Sequence, residues 1–232
     1  SGGGDSLWLF QHSNPDIIIG DKYFEDFLGK GLSGDILGKR SKIKKVKIGS
    51  FEFEDATVSY PDSTVCLRIQ ANKERNGTLG AGILKRFIVT LNYSKNQITL
   101  KKSRRFYNDP FLYNKSGIEL MFGGEMLVKE NQFQFKDKVQ GQYQNITQVF
   151  YSYGLTYKPS YKISFIRKGS PAHYAGLLED DIVLEVNGKE AYNMDMQEIV
   201  FMLSQKEDKK IKILVDRNGE HLRYEFYLKS LL

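Results

Sequence analysis

A single cysteine, Cys66, stands in 232 residues, so no internal disulfide can form, and one thiol does not fix a redox compartment. Cys66 lies in an alternating, strand-like run and reads as buried filler rather than a nucleophile. Only three histidines occur, His12, His173 and His221, far apart and without metal-ligand spacing, so no metal is expected. No apolar run approaches the roughly 18 residues of a membrane helix. A starting Met and a signal peptide are both missing, so the chain reads as a piece of a longer protein whose targeting is not visible in it.

Other absences concern motifs. Gly29-Lys30-Gly31-Leu32-Ser33-Gly34 matches the spacing of a dinucleotide loop, but no strand pattern precedes it and no clear helix follows. The Gly34 to Arg40 stretch misses the phosphate-loop spacing and its Ser/Thr. Ser33 fails the nucleophile-elbow pattern, because Asp35 stands where a Gly belongs. A hairpin or turn is the reading that remains, and no cofactor is expected. The densest basic cluster, Lys101, Lys102, Arg104 and Arg105, has no nucleic-acid-binding motif beside it and reads as a solvated strand end. The net charge of +6 is carried by scattered lysines and permits weak attraction to acidic partners.

What is present is mainly β. With 41% hydrophobic and 27% charged residues the chain is globular and long enough for two domains. Gly20 to Phe27 reads as a short helix. From Ile43 to Tyr93, strand follows strand: Ile43, Val46 and Ile48, a Gly49-Ser50 turn, then Phe51 and Phe53 alternating with Glu52 and Glu54. Val65, Leu67 and Ile69 form another run, as do Phe87, Val89 and Leu91. Period-two patterning with such close turns predicts an antiparallel sheet with one buried face. Asn108-Asp109-Pro110 is a turn signal inside a linker. Gly123-Gly124 and a Gln/Asn-rich middle mark residues 121–159, expected to form one or two extra hairpins.

From Tyr161 the signal sharpens. Pro171 suits the first turn of a helix and Gly176 its end. Asp181 to Val186 is a strand closing in an Asn187-Gly188 turn. Asp195 can cap a helix through Leu203. Ile211, Ile213 and Val215 then pair across Asn218-Gly219 with Leu222, Tyr224 and Phe226.

Two family resemblances follow from these residues. Ser170-Pro171-Ala172, Ala175-Gly176-Leu177, Asp181-Ile182 and Val186-Asn187-Gly188 together resemble a PDZ domain; Asp180 departs from the Gly usual there. The resemblance implies an extended peptide added as a strand between Gly117, Ile118 and Leu120 on one side and Met196, Val200 and Leu203 on the other. It also implies a ligand carboxylate held by backbone N–H groups near Ser116, Gly117 and Ile118. Met196 cannot donate a hydrogen bond as His does in many relatives, so an apolar third residue from the ligand's end is expected. Tyr153-Gly154-Leu155 is an alternative start for the binding loop, and Met196 and Val200 as plain core is an alternative to the groove.

The opening Ser1-Gly2-Gly3-Gly4-Asp5-Ser6-Leu7-Trp8 resembles the active-site loop of pepsin- and retropepsin-like aspartic peptidases with its aspartate placed just before Ser1. Thr78-Leu79-Gly80 resembles the hydrophobic-hydrophobic-Gly step that supports that loop, and Gly31, Ser33 and Gly34 resemble a flap tip. The resemblance implies one lobe, the second half of a bacterial two-lobed peptidase, over 1–107. A linker at 108–115 and a PDZ domain at 116–232, a β-sandwich with two helices, follow it. Ser1 would hydrogen-bond near the catalytic pair and Gly2 would admit the turn. Asp5, without the required glycine, reads as a surface or capping residue. Neither catalytic Asp is in the chain, which alone should be inactive. The implied partners are peptide or protein substrates, C-terminal peptides, and an upstream lobe or a second copy. Export to the periplasm or cell envelope is implied by the same relatives. A non-catalytic peptide-binding protein with a protease-like scaffold is the alternative.

Overall fold

The computed structural model describes residues 5–31, 34–62, 75–104, 110–136 and 148–232. The expected strand around Cys66, and Arg105, lie outside them.

The N-terminal sheet is built around a strand of three residues. β1 (Leu7–Leu9) lies between β4 (Phe51–Pro61) and β5 (Gly77–Leu79). It runs parallel to β4, with Leu7 opposite Val58, and antiparallel to β5, with Leu7 opposite Leu79. Within the span where patterning predicted an antiparallel sheet, β3–β4 and β6–β7 are antiparallel; the parallel pair is added by β1, outside that span. A period-two signal reports which face is buried and not the direction of the neighbouring strand. β2 (Tyr23–Gly31) and β3 (Gly34–Ile48) form a hairpin that continues the sheet in the order β2-β3-β4-β1-β5. Leu7, Val58 and Tyr60 form one buried cluster, and Phe53, Ile83 and Phe87 a second. A short helix α1 (Ala81–Leu84) leads into the separate hairpin β6 (Phe87–Asn92) and β7 (Gln97–Lys102).

The helix expected over Gly20 to Phe27 is instead the start of β2. The chain there presents Tyr23, Phe24 and Phe27, residues that favour a pleated surface, and pairs with β3 from Tyr23↔Ser41 onward. Gly38 on β3 has no room for a side chain, since a Cβ would stand 2.3 Å from the Tyr60 carbonyl oxygen.

The C-terminal sheet has the order β13-β12-β10-β9-β8, with β11 (Lys189–Glu190) on β10. Its strands are β8 (Ile118–Lys136), β9 (Gln148–Ile166), β10 (Ile182–Val186), β12 (Lys210–Arg217) and β13 (Glu220–Tyr227). Two helices cover it, α2 (Pro171–Ala175) and α3 (Met196–Leu203). Ser170 Oγ accepts from the His173 N–H at the start of α2, and Gly176 ends it at φ 91°. Asp195 and Glu198 form a capping box on α3, satisfying orphan amides at both positions. Asp180, in the place of a family glycine, takes the left-handed φ of 68° and receives Lys162 Nζ at 2.7 Å. The core joins Ile118, Ile163, Leu177, Val186, Ile199, Leu203, Ile211 and Val215.

Of residues 121–159, those described prolong β8 and β9 as one antiparallel ribbon, from Met121↔Lys162 to Lys136↔Gln148, with register slips at Glu119/Leu120 and Phe122/Gly124. Leu127, Tyr153, Leu155 and Tyr157 are exposed on it.

The two sheets meet along β2. Phe27 stacks on Phe165 at 5.4 Å between centroids, and Phe24 lies 5.6 Å from Tyr113. Between these rings the charged residues described next are enclosed. No helix among the described residues is long and apolar enough to cross a membrane.

Candidate functional site

β8 is the last strand of its sheet and has β9 as its only strand neighbour among the described residues, so one of its edges is unpaired. α3 lies beside its first residues. Leu120 and Met196 are half-buried and pack onto the core from the two sides of this cleft, whereas Ile118 and Leu203 belong to the core itself. Val200 faces a cavity of about 570 Å³ shared with Phe111, Phe201, Asp5, Ser6 and Gly82, on the side of α3 that looks toward the N-terminal sheet. The structure therefore brings Leu120 and Met196 together over a floor that includes Ile118 and Leu203, whereas Val200 lines the separate cavity toward the N-terminal sheet. Tyr153-Gly154-Leu155, the alternative loop, lies within β9.

The expected carboxylate donors are not free, and that expectation is corrected. Asn114 Oδ1 accepts from the Ser116 N–H at 2.9 Å, the Gly117 N–H at 3.4 Å and Ser116 Oγ at 2.7 Å. The Ile118 N–H donates to Ser116 Oγ at 3.1 Å. Lys115, Ser116, Gly117 and Ile118 are all buried. Gly117 takes φ 83°, and a Cβ on it would meet Ser170 Cβ at 2.2 Å, so only glycine fits there. The Lys115 N–H donates to the Leu203 carbonyl at 3.0 Å, and Lys115 Nζ reaches the carbonyls of Ser204 and Gln205 at 3.2 and 2.7 Å. This lysine satisfies the open carbonyls at the end of α3, and burial pulls its pKa down.

A chain of ion pairs crosses from the N-terminal sheet to this loop. Asp5 Oδ2 accepts from Trp8 Nε1 and Ser59 Oγ, both at 2.8 Å, while its Oδ1 pairs with Arg40 Nη1. Arg40 Nε donates to Asp26 Oδ2 at 2.9 Å, and Arg167 Nη1 to Asp26 Oδ1 at 3.1 Å. The Arg167 N–H then donates to the Gly117 carbonyl at 2.9 Å. Asp5 is thus no surface or capping residue, as it was expected to be; it anchors this chain because Arg40, thirty-five positions on, lies opposite it across the sheet. Burial works against the charge on Arg40, and Asp5 and Asp26 more than offset it, so its pKa rises above the usual guanidinium value. Glu119 faces the same group. Burial first, and then the negative charges of Asp26 and Asp5, push its pKa up to about 7 against the opposing pull of Arg40 and Arg167. Arg167 Nη2 has no hydrogen-bond partner among the described residues.

On the N-terminal sheet, Leu79 and Gly80 lie where the start of β1 needs them. The Gly80 N–H donates to the Ser6 carbonyl at 3.0 Å and the Gly82 N–H to the Asp5 carbonyl at 3.1 Å. Gly31 and Gly34 pair at the end of the β2–β3 hairpin. That end stands seven residues past Ser41, about 23 Å of strand, from the row Tyr23–Ser41–Val58–Leu7–Leu79. Ser1, Gly2 and Ser33 lie outside the described residues. Among the described residues no group of His, Cys, Asp and Glu could hold a metal ion.

Asp26, Arg40, Asn114, Glu119 and Arg167 escaped the sequence reading. Asp26 and Arg167 are 141 positions apart, beyond any local periodicity. Asn114-Lys115-Ser116 did carry a signal, since Asn readily accepts from the amide two residues on.

No curated protein matches the sequence. Solved structures of the HtrA-type protease AlgW show a distant likeness. The complex with a decapeptide is 15% identical at a TM-score of 0.36, over 94% of this chain and 63% of that one. The complex with a tripeptide is 14% identical at 0.31, over 91% and 65%. The chain spans less than two thirds of the length of those structures, and a likeness at this level carries no argument for fold or chemistry. Residues 163–217 match the PDZ domain family. They run from the end of β9 through α2, β10 and α3 into β12, which includes the helix side of the cleft but not β8, and this part of the chain is a PDZ domain.

Proposed function

We propose that the chain binds extended peptide segments, laid as an added strand along the free edge of β8 with α3 closing the other side. The observation that carries this reading is the unpaired edge of β8 beside Leu120 and Met196 within a PDZ domain. Main-chain hydrogen bonds to β8 supply affinity, and side chains pointing into the cleft supply selection. The position facing Met196 takes an apolar side chain, because a thioether offers no donor to a Ser or Thr hydroxyl. A peptide panel read by fluorescence anisotropy tests this; a clear Ser/Thr preference at that position refutes it.

The N-terminal sheet is read as one lobe of an aspartic peptidase. What supports this is the pair of backbone bonds that fasten Ser6 and Asp5 to Gly80 and Gly82, at the start of a short helix that follows Thr78-Leu79-Gly80, which departs from the hydrophobic-hydrophobic-Gly step only in its Thr. In that chemistry two carboxylates share one proton. The charged one removes a proton from water while the acid polarises the scissile carbonyl. The contribution of this chain is to hold the loop: Leu79 and Gly80 from behind, Ser1 and Gly2 within it. The same reading takes the intact protein to the cell envelope. The tests are the gene sequence upstream of Ser1, which must supply Asp directly and a second Asp-Ser/Thr-Gly farther back, and a pepstatin-sensitive activity at acid pH. Without both aspartates the sheet is a scaffold for the peptide cleft.

A further inference from the structure

We infer that the PDZ domain of this chain selects the interior of a peptide rather than its free C-terminus, and that Asn114 sets this choice. The inference rests on the peptide-binding reading above and names its ligand class.

A terminal carboxylate entering a buried loop must find donors for its oxygens, since an ionised group removed from water without partners is costly. The amides of Ser116, Gly117 and Ile118 already donate to Asn114 Oδ1 or Ser116 Oγ. Asn114 is held in this pose from its other end, because its Nδ2 donates to the Ile118 carbonyl. A carboxylate arriving here would meet two oxygen lone pairs in place of N–H groups. Lys115 Nζ does not compensate, as it is spent on the carbonyls of Ser204 and Gln205. The bond from the Lys115 N–H to the Leu203 carbonyl joins loop and helix directly at that end of the cleft.

The other end is open. β8 continues as an edge strand to Lys136, well past the span of α3, so a peptide strand finds main-chain partners in that direction. A ligand whose chain carries on in both directions satisfies β8 without presenting a charge to the loop. Its backbone leaves the cleft ahead of Lys115.

Two displayed libraries of random decapeptides test this on the full 232-residue chain. In one each peptide ends in a free carboxylate; in the other it is embedded between linkers. Enriched sequences are then synthesised as free acids and as C-terminal amides. The expected result is enrichment from the embedded library, with acid and amide affinities within about twofold of each other. In Asn114→Ala, which frees the Ser116 and Gly117 amides, the free acid gains at least about fivefold over the amide. Enrichment confined to the free-end library, with a tenfold or larger loss on amidation, overturns the inference and leaves peptide binding intact. Enrichment from neither library overturns the peptide-binding reading, and this inference with it. The acid–amide comparison uses the unaltered protein and does not depend on Asn114→Ala folding.

Discussion

Replacing Glu119 by Gln removes one titration from the junction between the two sheets, and the effect has a definite sign. The folded chain holds the Glu119 proton up to about pH 7, whereas an ordinary glutamate releases it near 4.5. Between those values the folded state binds a proton that the unfolded state has lost, so stability falls as pH rises through this window and is level above it. The full window, at 1.36 kcal/mol per pKa unit, corresponds to about 3 kcal/mol. Glu119 is half-buried, and screening by solvent reduces this to about 2 kcal/mol between pH 5 and 8. Burial is the first cause of this direction, and the neighbouring carboxylates add to it. With Glu119 neutral, Asp5 and Asp26 balance Arg40 and Arg167; its ionisation adds a third carboxylate to two guanidiniums. In a chain of this length about 2 kcal/mol moves the thermal midpoint by about 5 °C. Scanning calorimetry from pH 5 to 8 should show that decline in the natural chain and a flatter profile in Glu119→Gln, with the variant more stable at pH 8. Parallel pH profiles for the two proteins would refute the placement of Glu119 in this charge cluster.

Three further perturbations follow from the same geometry. Arg40→Leu removes the guanidinium partner of Asp5 and leaves Asp26 only Arg167, and should destabilise the chain by about 3–5 kcal/mol in urea unfolding. Gly82→Ala places a Cβ 2.5 Å from Ser6 Oγ and 2.9 Å from Ser6 Cα, so the start of β1 must shift; the expected loss is about 1–3 kcal/mol by thermal unfolding. In a longer protein carrying the upstream aspartate, the same change should abolish acid proteolysis. Met196→His introduces a donor into the cleft and should move a peptide panel toward Ser or Thr at the facing position, an outcome absent if Met196 is only core.

The parts of the fold that were legible in the sequence are those written in local chemistry. Pro171, Gly176, Asp195 and the Asn187-Gly188 turn each mark an element boundary by backbone preference, and the structure has those boundaries. Alternation found the end of β3, together with β4, β6, β12 and β13, for the same reason. β2 was misread because aromatic residues at Tyr23, Phe24 and Phe27 suit a short helix as well as a strand until β3 is available to pair with them. The closed loop was misread for a different reason. Gly117-Ile118 has the form of a carboxylate cradle, and the side chain that fills it comes from Asn114, in a stretch that reads only as linker. Ion pairs spanning 14, 35 and 141 positions leave no pattern that a window of residues can register.

The route Asp5–Arg40–Asp26–Arg167 bears on how this protein can be dissected. The Arg167 side chain is only 6% exposed, and its carboxylate partner sits on β2, in the other half of the chain. Cutting at the linker would leave that guanidinium facing solvent on one fragment and a pair of acids around Arg40 on the other. Each fragment would then rearrange the very loop it was made to study, Gly117 through Arg167 on one side and Asp5 on the other. Excised halves are therefore poor stand-ins for the joined molecule, and affinities measured on them describe a different surface.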